Sequence, residues 1–232
     1  MSVFKLVFCA VFGYAMGNIS SGILVGKAFG IKDIRKVGSG NAGTTNVLRN
    51  LGWFPSILTL VGDCLKGLIP SLIGWNMAGT AGLLTGGIAA IIGHDFPAAF
   101  GFKGGKGIAT SLGVLLVLDC RLALVLFVVQ IVAVAITRYM SFGSLINTLA
   151  FPFIVGFLYR GRSDSRILVI GAIIMSVLSL YGHRENLIRL FRGEENKLDF
   201  KSIAEKSKSL KKKKSQFDKD HIGNEDKVER NK

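Results

Sequence analysis

Three polar stretches of this chain hold residue types that bind anions and move protons. The first, "GSGNAGTTNVLR" at 38–49, sets Gly38, Gly40 and Gly43 among Ser39, Asn41, Thr44, Thr45 and Asn46, and closes on Arg49. Glycines let successive backbone N–H groups curl around an anion, hydroxyl and amide side chains add donors, and a guanidinium offers phosphate a planar fork. The second, "GHDFPAAFGFKGGKGIAT" at 93–110, brackets Gly104 and Gly105 with Lys103 and Lys106 just ahead of an apolar helix. Point charges, free amides and a helix N-terminus each favour an anion there. The third, "YGHRENLIRLFRGEEN" at 181–196, repeats His183, Asn186 and Arg189 or Arg192 at helical spacing, with an imidazole that titrates near neutrality.

Two readings of single pairs stay open. His94 and Asp95 are either a proton-handling pair or a cap before Phe96-Pro97, since adjacent helical residues do not face each other. Glu185 and Glu194 are read as neutralising nearby Lys and Arg.

Several tempting matches fail on context. Gly38, Gly40 and Gly43 fit G-x-G-x-x-G, and Asp63 follows Gly43 by 20 residues. That fingerprint needs a strand before it, and here the flanks are long apolar helices. Asp63 has Lys66 three residues on, where pairing along one helix face is the default. The second stretch lacks the earlier glycine of a P-loop, and Lys106 is followed by Gly107. His221 and Asp226 have an acyltransferase-like H-x4-D spacing but lie in a Lys-rich tail with no apolar support, so the match reads as chance. Cys9, Cys64 and Cys120 are isolated in apolar sequence and read as small buried hydrophobes.

The elements that must position these motifs are membrane helices. Half of the 232 residues are apolar, and between Met1 and Gly182 the only carboxylates are Asp33, Asp63, Asp95, Asp119 and Asp164. A soluble surface is usually about a quarter charged. Apolar segments near 2–27, 54–75, 78–98, 107–118, 122–137, 142–159 and 165–182 predict an all-α, polytopic integral membrane bundle of about seven crossings. The fourth and fifth stay separate because Asp119-Cys120-Arg121 would be costly at mid-bilayer. The first run is too long for a signal-peptide core. Residues 1–195 read as one membrane-embedded domain and 196–232 as a basic, disordered tail with "LKKKKS" inside it.

An odd number of crossings puts the ends on opposite sides. The Lys-rich tail is then cytoplasmic, and so are the loops at 28–53, 99–106 and Arg138, so that all three motifs fall on one face. The loop at 160–166, with Arg160, Arg162 and Arg166, runs against that rule. The net charge of +14 fits a face beside anionic lipid better than a nucleic-acid partner, given such apolar runs. A transporter for phosphorylated metabolites would need polar groups at mid-membrane with access from both sides. A scaffold would need neither His183 nor so many glycines, and a CDP-alcohol phosphotransferase would need an Asp cluster that is absent.

Taken together, the three motifs in this order, with "RYMS" at 138–141 and "DCLKG" at 63–67, resemble the bacterial acyl-phosphate glycerol-3-phosphate acyltransferases, the PlsY family. The resemblance covers roughly residues 1–195. Ala42 stands where the family often has Pro, and Thr44 where it often has Ala. The resemblance implies transfer of an acyl group from acyl phosphate to glycerol 3-phosphate, giving 1-acylglycerol 3-phosphate (lysophosphatidate) and phosphate in phospholipid biosynthesis. It implies that Ser39, Gly40, Asn41, Gly43, Thr45, Asn46, Gly104 and Gly105 hold the acyl-phosphate phosphate. Arg49, Lys106, Ser141, His183 and Asn186 would hold glycerol 3-phosphate, with His183, Ser39, Asn186 and Lys106 catalytic. Ser141 is preferred to Ser144 because it directly follows "RYM". The proton acceptor is His183 or the donor's own phosphate; Ser39 as nucleophile has no activating base nearby. No cofactor or metal is expected. The location would be the bacterial cytoplasmic membrane, with a functional link to the enzyme that makes acyl phosphate.

Overall fold

A computed structural model describes residues 2–210. The lysine run beyond Leu210 and the His221/Asp226 pair lie outside the described residues. All regular structure among those residues is helical. The long helices are α1 (Val3–Gly17) with α2 (Ser21–Ala28), α4 (Trp53–Asp95), α6 (Cys120–Thr137), α7 (Met140–Leu158) and α8 (Ser165–Gly182). Short ones are α3 (Thr44–Leu51), α5 (Ile108–Leu118), α9 (Arg184–Phe191) and α10 over 200–210. Five helical stretches, with α1 and α2 counted together, are long and apolar enough to cross a membrane.

α4 is a hairpin in all but name. Its backbone leaves helical geometry at Ala78 and at Gly79, where φ is +61°. The returning half runs back along the first so closely that a Cβ on Gly74 would strike the Gly82 carbonyl, and one on Gly82 the Gly74 carbonyl. α1 meets the returning half in the same way, through Gly13 against Gly86 and Gly17 against Ala90. Apolar side chains gain little by leaving lipid for a helix surface, so small residues that allow close backbone approach are what hold such helices together. Leu83, Val114, Leu122, Phe151, Val155 and Leu168 then form a buried cluster joining α4 to α8. Phe4, Ile136 and Phe153 point outward and stay exposed, as a lipid-facing surface requires.

The chain breaks between α5 and α6 at Asp119, which is extended and caps α6 by accepting from Arg121 N and Leu122 N at 2.9 and 3.2 Å. The connections gather at two ends. At one, Thr80 Oγ1 donates to Asp164 Oδ2 at 2.6 Å and Tyr159 Oη donates to Asp119 Oδ2 at 2.8 Å. The other end collects the loops at 29–43 and 96–107, the α6–α7 corner at Arg138 and the chain after α8, and all three polar motifs lie there. α5 has 11 residues, so it rises about 16 Å, half of a hydrocarbon core of about 30 Å.

One boundary is corrected. The expected disordered tail from 196 does not begin there: Leu198 and Ile203 are buried against Leu48 and Val134, and α10 packs on the site-bearing end. Leu198, Phe200 and Ile203 supply an apolar face too short for a periodicity signal amid so many lysines.

Gly74→Val should drive the two halves of α4 apart. The expected cost is roughly 1–3 kcal/mol, seen as a lower melting temperature and a loss of monodisperse protein in detergent. Val at exposed Gly161, where nothing lies within 4 Å of a Cβ, should leave both unchanged.

Candidate functional site

The glycine-rich turn is built around Asn46. Its side chain is buried, with Nδ2 within 2.9–3.0 Å of the carbonyls of Ile34, Val37 and Asn41. Its Oδ1 accepts from Ser39 N at 2.9 Å and from Asn50 Nδ2 at 3.1 Å. Gly38 sits at φ +61° directly over this amide, where a Cβ would collide with Asn46 Oδ1. The turn thus spends several of its own donors. Gly40 N goes to Val37 O, Gly43 N to Asn41 Oδ1, and Asn46 N to Gly43 O. Asn46 shapes the turn and has no N–H left for a ligand, and the amides of Ser39, Gly40 and Gly43 are likewise occupied. The expected nest is therefore narrower: the backbone N–H groups of Thr44 and Thr45, first in α3, have no intrahelical acceptor. Thr44 Oγ1 is buried there without a hydrogen-bond partner among the described residues.

The second motif also differs from expectation. Gly104 N donates to Asp95 O and Gly105 N to His94 O, at 3.2 and 3.0 Å. A Cβ on Gly105 would fall on His94 Nε2. Gly104 and Gly105 are packing points against His94, and their amides face the protein rather than a ligand. Lys103 is exposed and outside the cavity, while Lys106 reaches into it. His94 and Asp95 do not act on each other: His94 Nδ1 lies 3.6 Å from Asp63 Oδ1, and Asp63 pairs with Lys66 at 3.0 Å as the sequence spacing predicts. Lys66 Nζ also donates to Ile19 O at 2.8 Å, tying α4 to the α1–α2 break.

The third motif meets the other two. His183 is 4% exposed and its Nδ1 lies 2.9 Å from Ser179 O. A carbonyl accepts only, so the hydrogen sits on Nδ1 and Nε2 keeps a lone pair. Lys106 Nζ donates to Asn186 Oδ1. Asn186 Nδ2 donates to Glu195 Oε1 at 2.9 Å, and Arg189 Nε donates to Glu195 Oε2 at 3.0 Å. Arg49 Nη2 donates to Asn196 O at 2.8 Å, while its Nε is buried and unpartnered among the described residues. Arg189, not Arg192, faces the cavity.

Burial sets the electrostatics. It pushes the Lys106 ammonium down to about 8, helped by Arg189 and opposed by Glu195. It pushes His183 down to about 4, helped by Lys106. Arg49 is lowered by burial first, with Glu195 opposing. Cations crowded into a dry site with unmet donors are stabilised by an arriving anion.

All these groups line one cavity of about 560 Å³. Its polar end holds Asn41, Thr44, Thr45, Arg49, Lys106 and Ser141, with exposed Ser39 at the rim. Ser141 Oγ is buried and unpartnered among the described residues, whereas Ser144 Oγ already donates to Met140 O at 3.1 Å. The cavity continues between α5, α6, α7 and α8 along Leu112, Leu115, Leu126, Phe127, Phe151 and Met175. Gly40, Gly104 and Gly105 do not line it. Sequence reasoning missed Glu195, assigning charge neutralisation to Glu185 and Glu194. The only available signal was the Gly193 stop after α9, a turn that folds Glu195, the second of the two carboxylates after it, back under the helix.

A helical membrane protein whose cavity is cationic at one end and apolar along the rest is an enzyme or carrier for an amphiphile with an anionic head. The comparisons resolve which. The family model for glycerol-3-phosphate acyltransferase matches residues 7–193. A glycerol-3-phosphate acyltransferase from Clostridioides difficile strain 630 is 40% identical over 204 residues, covering 85% of this chain and 98% of that protein. One from Trichlorobacter lovleyi is 42% identical over 185 residues, covering 79% and 93%. The crystal structure of PlsY (YgiH), an integral membrane glycerol 3-phosphate acyltransferase, in its glycerol 3-phosphate form superposes with a TM-score of 0.78 at 36% identity, covering 86% of this chain and 98% of that one. Its lysophosphatidic acid form gives 0.76 at 35% identity. The chain belongs to the glycerol-3-phosphate acyltransferase family.

Asn46→Asp keeps the shape of the side chain but replaces its amide donors with a second acceptor. Three carbonyls would lose their donor, at about 1–3 kcal/mol for each buried group left unpaired. The expected result is a lower melting temperature with loss of substrate binding. Asn41→Ala removes a single turn bond and should cost about 1 kcal/mol.

Proposed function

We propose that this chain transfers an acyl group from acyl phosphate to glycerol 3-phosphate, releasing lysophosphatidate and phosphate. The observation that carries this reading is that Thr44 and Thr45, Arg49 and Lys106, and His183 line the same cavity as the apolar side chains of α5, α6 and α7. The donor's phosphate would take the Thr44 and Thr45 N–H groups, Asn41 and the Ser39 hydroxyl. The acceptor's phosphate would take Arg49, Lys106 and Asn186, with Ser141 on the glycerol. The acyl chain would lie between α5, α6 and α7. Seven crossings, with the site-bearing end at the cytoplasmic face of a bacterial inner membrane, would let the chain stay in lipid while the soluble acceptor enters from the cytosol. Such an enzyme depends functionally on the one that makes acyl phosphate.

The chemistry is a displacement on a mixed anhydride. The glycerol hydroxyl oxygen attacks the acyl carbonyl carbon, the bond from that carbon to the phosphate oxygen breaks, and the hydroxyl proton ends on the departing phosphate. An imidazole pushed down to about 4 is a poor resting place for that proton. His183 Nε2 instead accepts a hydrogen bond from the hydroxyl of the bound acceptor and aims its oxygen; as the new C–O bond forms, that hydrogen turns from Nε2 to an oxygen of the leaving phosphate, which is the base. Holding both reactants in line is worth up to about 7–11 kcal/mol of the barrier. Lys106 stabilises the charge that gathers on the phosphates.

Purified protein in detergent, palmitoyl phosphate and glycerol 3-phosphate should yield lysophosphatidate and phosphate, and palmitoyl-CoA in parallel should yield none. Product from palmitoyl-CoA overturns the donor assignment, and no product from either donor overturns the enzyme reading. The pH profile of kcat/KM for glycerol 3-phosphate should fall above about pH 8. Lys106 is charged below its pKa of about 8 and loses that charge as pH rises through it. His183, neutral above about 4, should add no inflection near pH 6. His183→Ala should lower kcat by about 10²-fold, the cost of a misaligned reactant, with His183→Gln, which keeps an acceptor, retaining much more.

A further inference from the structure

Beyond the family match, which ends at residue 193, the chain returns to the site it has just built. Gly193, at φ +71°, ends α9, and Glu194 N closes the turn on Arg189 O at 2.8 Å. Glu195 is thereby folded under α9, 7% exposed, holding Asn186 and Arg189 with its two oxygens. Asn196 O holds the Arg49 guanidinium. Leu198 N then donates to Arg138 O at 2.8 Å, fixing the segment to the α6–α7 corner. Asp199 caps α10 by accepting from Lys201 N and Ser202 N at 3.0 and 3.2 Å. α10 docks by Ile203 beside Leu48 and Val134, by Ser207 Oγ accepting from Trp53 N at 3.1 Å, and by Lys206 Nζ donating to Arg49 O at 2.5 Å. Arg49 is therefore held at its side chain by Asn196 and at its main chain by Lys206, both beyond the residues that the family model matches.

We propose that residues 195–207 are a clasp that positions the acceptor-phosphate site, with Glu195, Asn196, Lys206 and Ser207 as positioning residues that set affinity for glycerol 3-phosphate. This rests on the reading of Arg49, Lys106 and Asn186 as the acceptor's ligands. The clasp fixes two side chains that an approaching dianion would otherwise have to order, Arg49 and Asn186, and ordering such side chains weakens binding; it also holds Arg189 beside them. It leaves Lys106 and the Arg49 Nε group facing the cavity, so the cost of alignment is met during folding. The donor's subsite at Thr44 and Thr45 receives no bond from the clasp, so donor affinity is independent of it.

The sign of one substitution separates this from simple electrostatics. If Glu195 were only a negative charge near the bound phosphate, Glu195→Gln would tighten glycerol 3-phosphate binding. The clasp predicts weaker binding, because a neutral amide cannot serve both Asn186 and Arg189 as an acceptor pair. In the full-length protein, glycerol 3-phosphate affinity measured by calorimetry should fall at least about tenfold in Glu195→Gln, the factor expected when a hydrogen bond to a charged group is lost. A Lys206→Met, Ser207→Ala double variant, which leaves the Ile203 contact in place, should raise KM for glycerol 3-phosphate several-fold. KM for palmitoyl phosphate and the melting temperature should stay near native values. Unchanged or tighter glycerol 3-phosphate binding in Glu195→Gln, or equal loss for both substrates in the double variant, overturns the clasp. Should Glu195→Gln fail to fold, the double variant decides alone. Native protein that binds glycerol 3-phosphate yet turns over no palmitoyl phosphate would sink the donor assignment and leave the clasp testable by binding. Native protein that binds no glycerol 3-phosphate would sink both.

Discussion

A polar group buried without a partner is costly in water-free surroundings, and more so inside a lipid-facing bundle. That constraint governs this molecule. Its polar atoms are largely paired, down to the Asp63–Lys66 ion pair and the threefold use of Asn46. Among the described residues, eight buried side-chain atoms have no hydrogen-bond partner; five belong to Asp63, Ser71, Asp95 and Thr110, and the other three gather at the polar end of the cavity. Thr44 Oγ1, Arg49 Nε and Ser141 Oγ are buried and unmet among the described residues, and Lys106 sits where burial weakens its hold on its proton. The fold has assembled a deficit of negative charge and of hydrogen-bond acceptors, which is the complement of phosphate.

The helices exist to hold that deficit beside an apolar channel. Gly74, Gly82 and Gly86 allow α4 to double back, which brings His94 under the Lys103–Gly107 loop. Lys106, just ahead of α5, and His183, just past α8, line the same cavity. A carboxylate, Glu195, then sits among Arg49, Lys106 and Arg189 without touching the first two. It reduces the repulsion among cations that would otherwise oppose folding, and it leaves the net local charge positive.

Much of this was legible in the sequence. The scarcity of carboxylates before Gly182 marked the lipid-facing helices, and Asp119 marked the break between α5 and α6 through the cost of a charge at mid-bilayer. The gathering of three motifs at one end followed from counting helices. Less visible was how the polar residues divide between building the site and serving it. Asn46, Gly104 and Gly105 have the same composition as ligands, and only the distances show that their donors are turned inward. Arg192 and Lys103 had the right charge and spacing but face away. The segment from 196 to 210 was misread because its few apolar residues, Leu198, Phe200 and Ile203, are diluted by lysine. Composition reports average hydropathy, whereas docking needs only a few side chains that fit a prepared surface.

The central claim is that one cavity receives two phosphates, one on a lipid chain and one on glycerol. A structure of this chain solved with glycerol 3-phosphate and a non-reactive acyl phosphonate tests it most directly. The account predicts one phosphoryl group on the Thr44 and Thr45 N–H groups and the other among Arg49, Lys106 and Asn186. The acyl chain should lie along Leu115 and Phe151, and the glycerol hydroxyl within about 3.5 Å of the carbonyl carbon. Density for either ligand outside this cavity, or a phosphoryl group at the Asp119–Asp164 end, would contradict it.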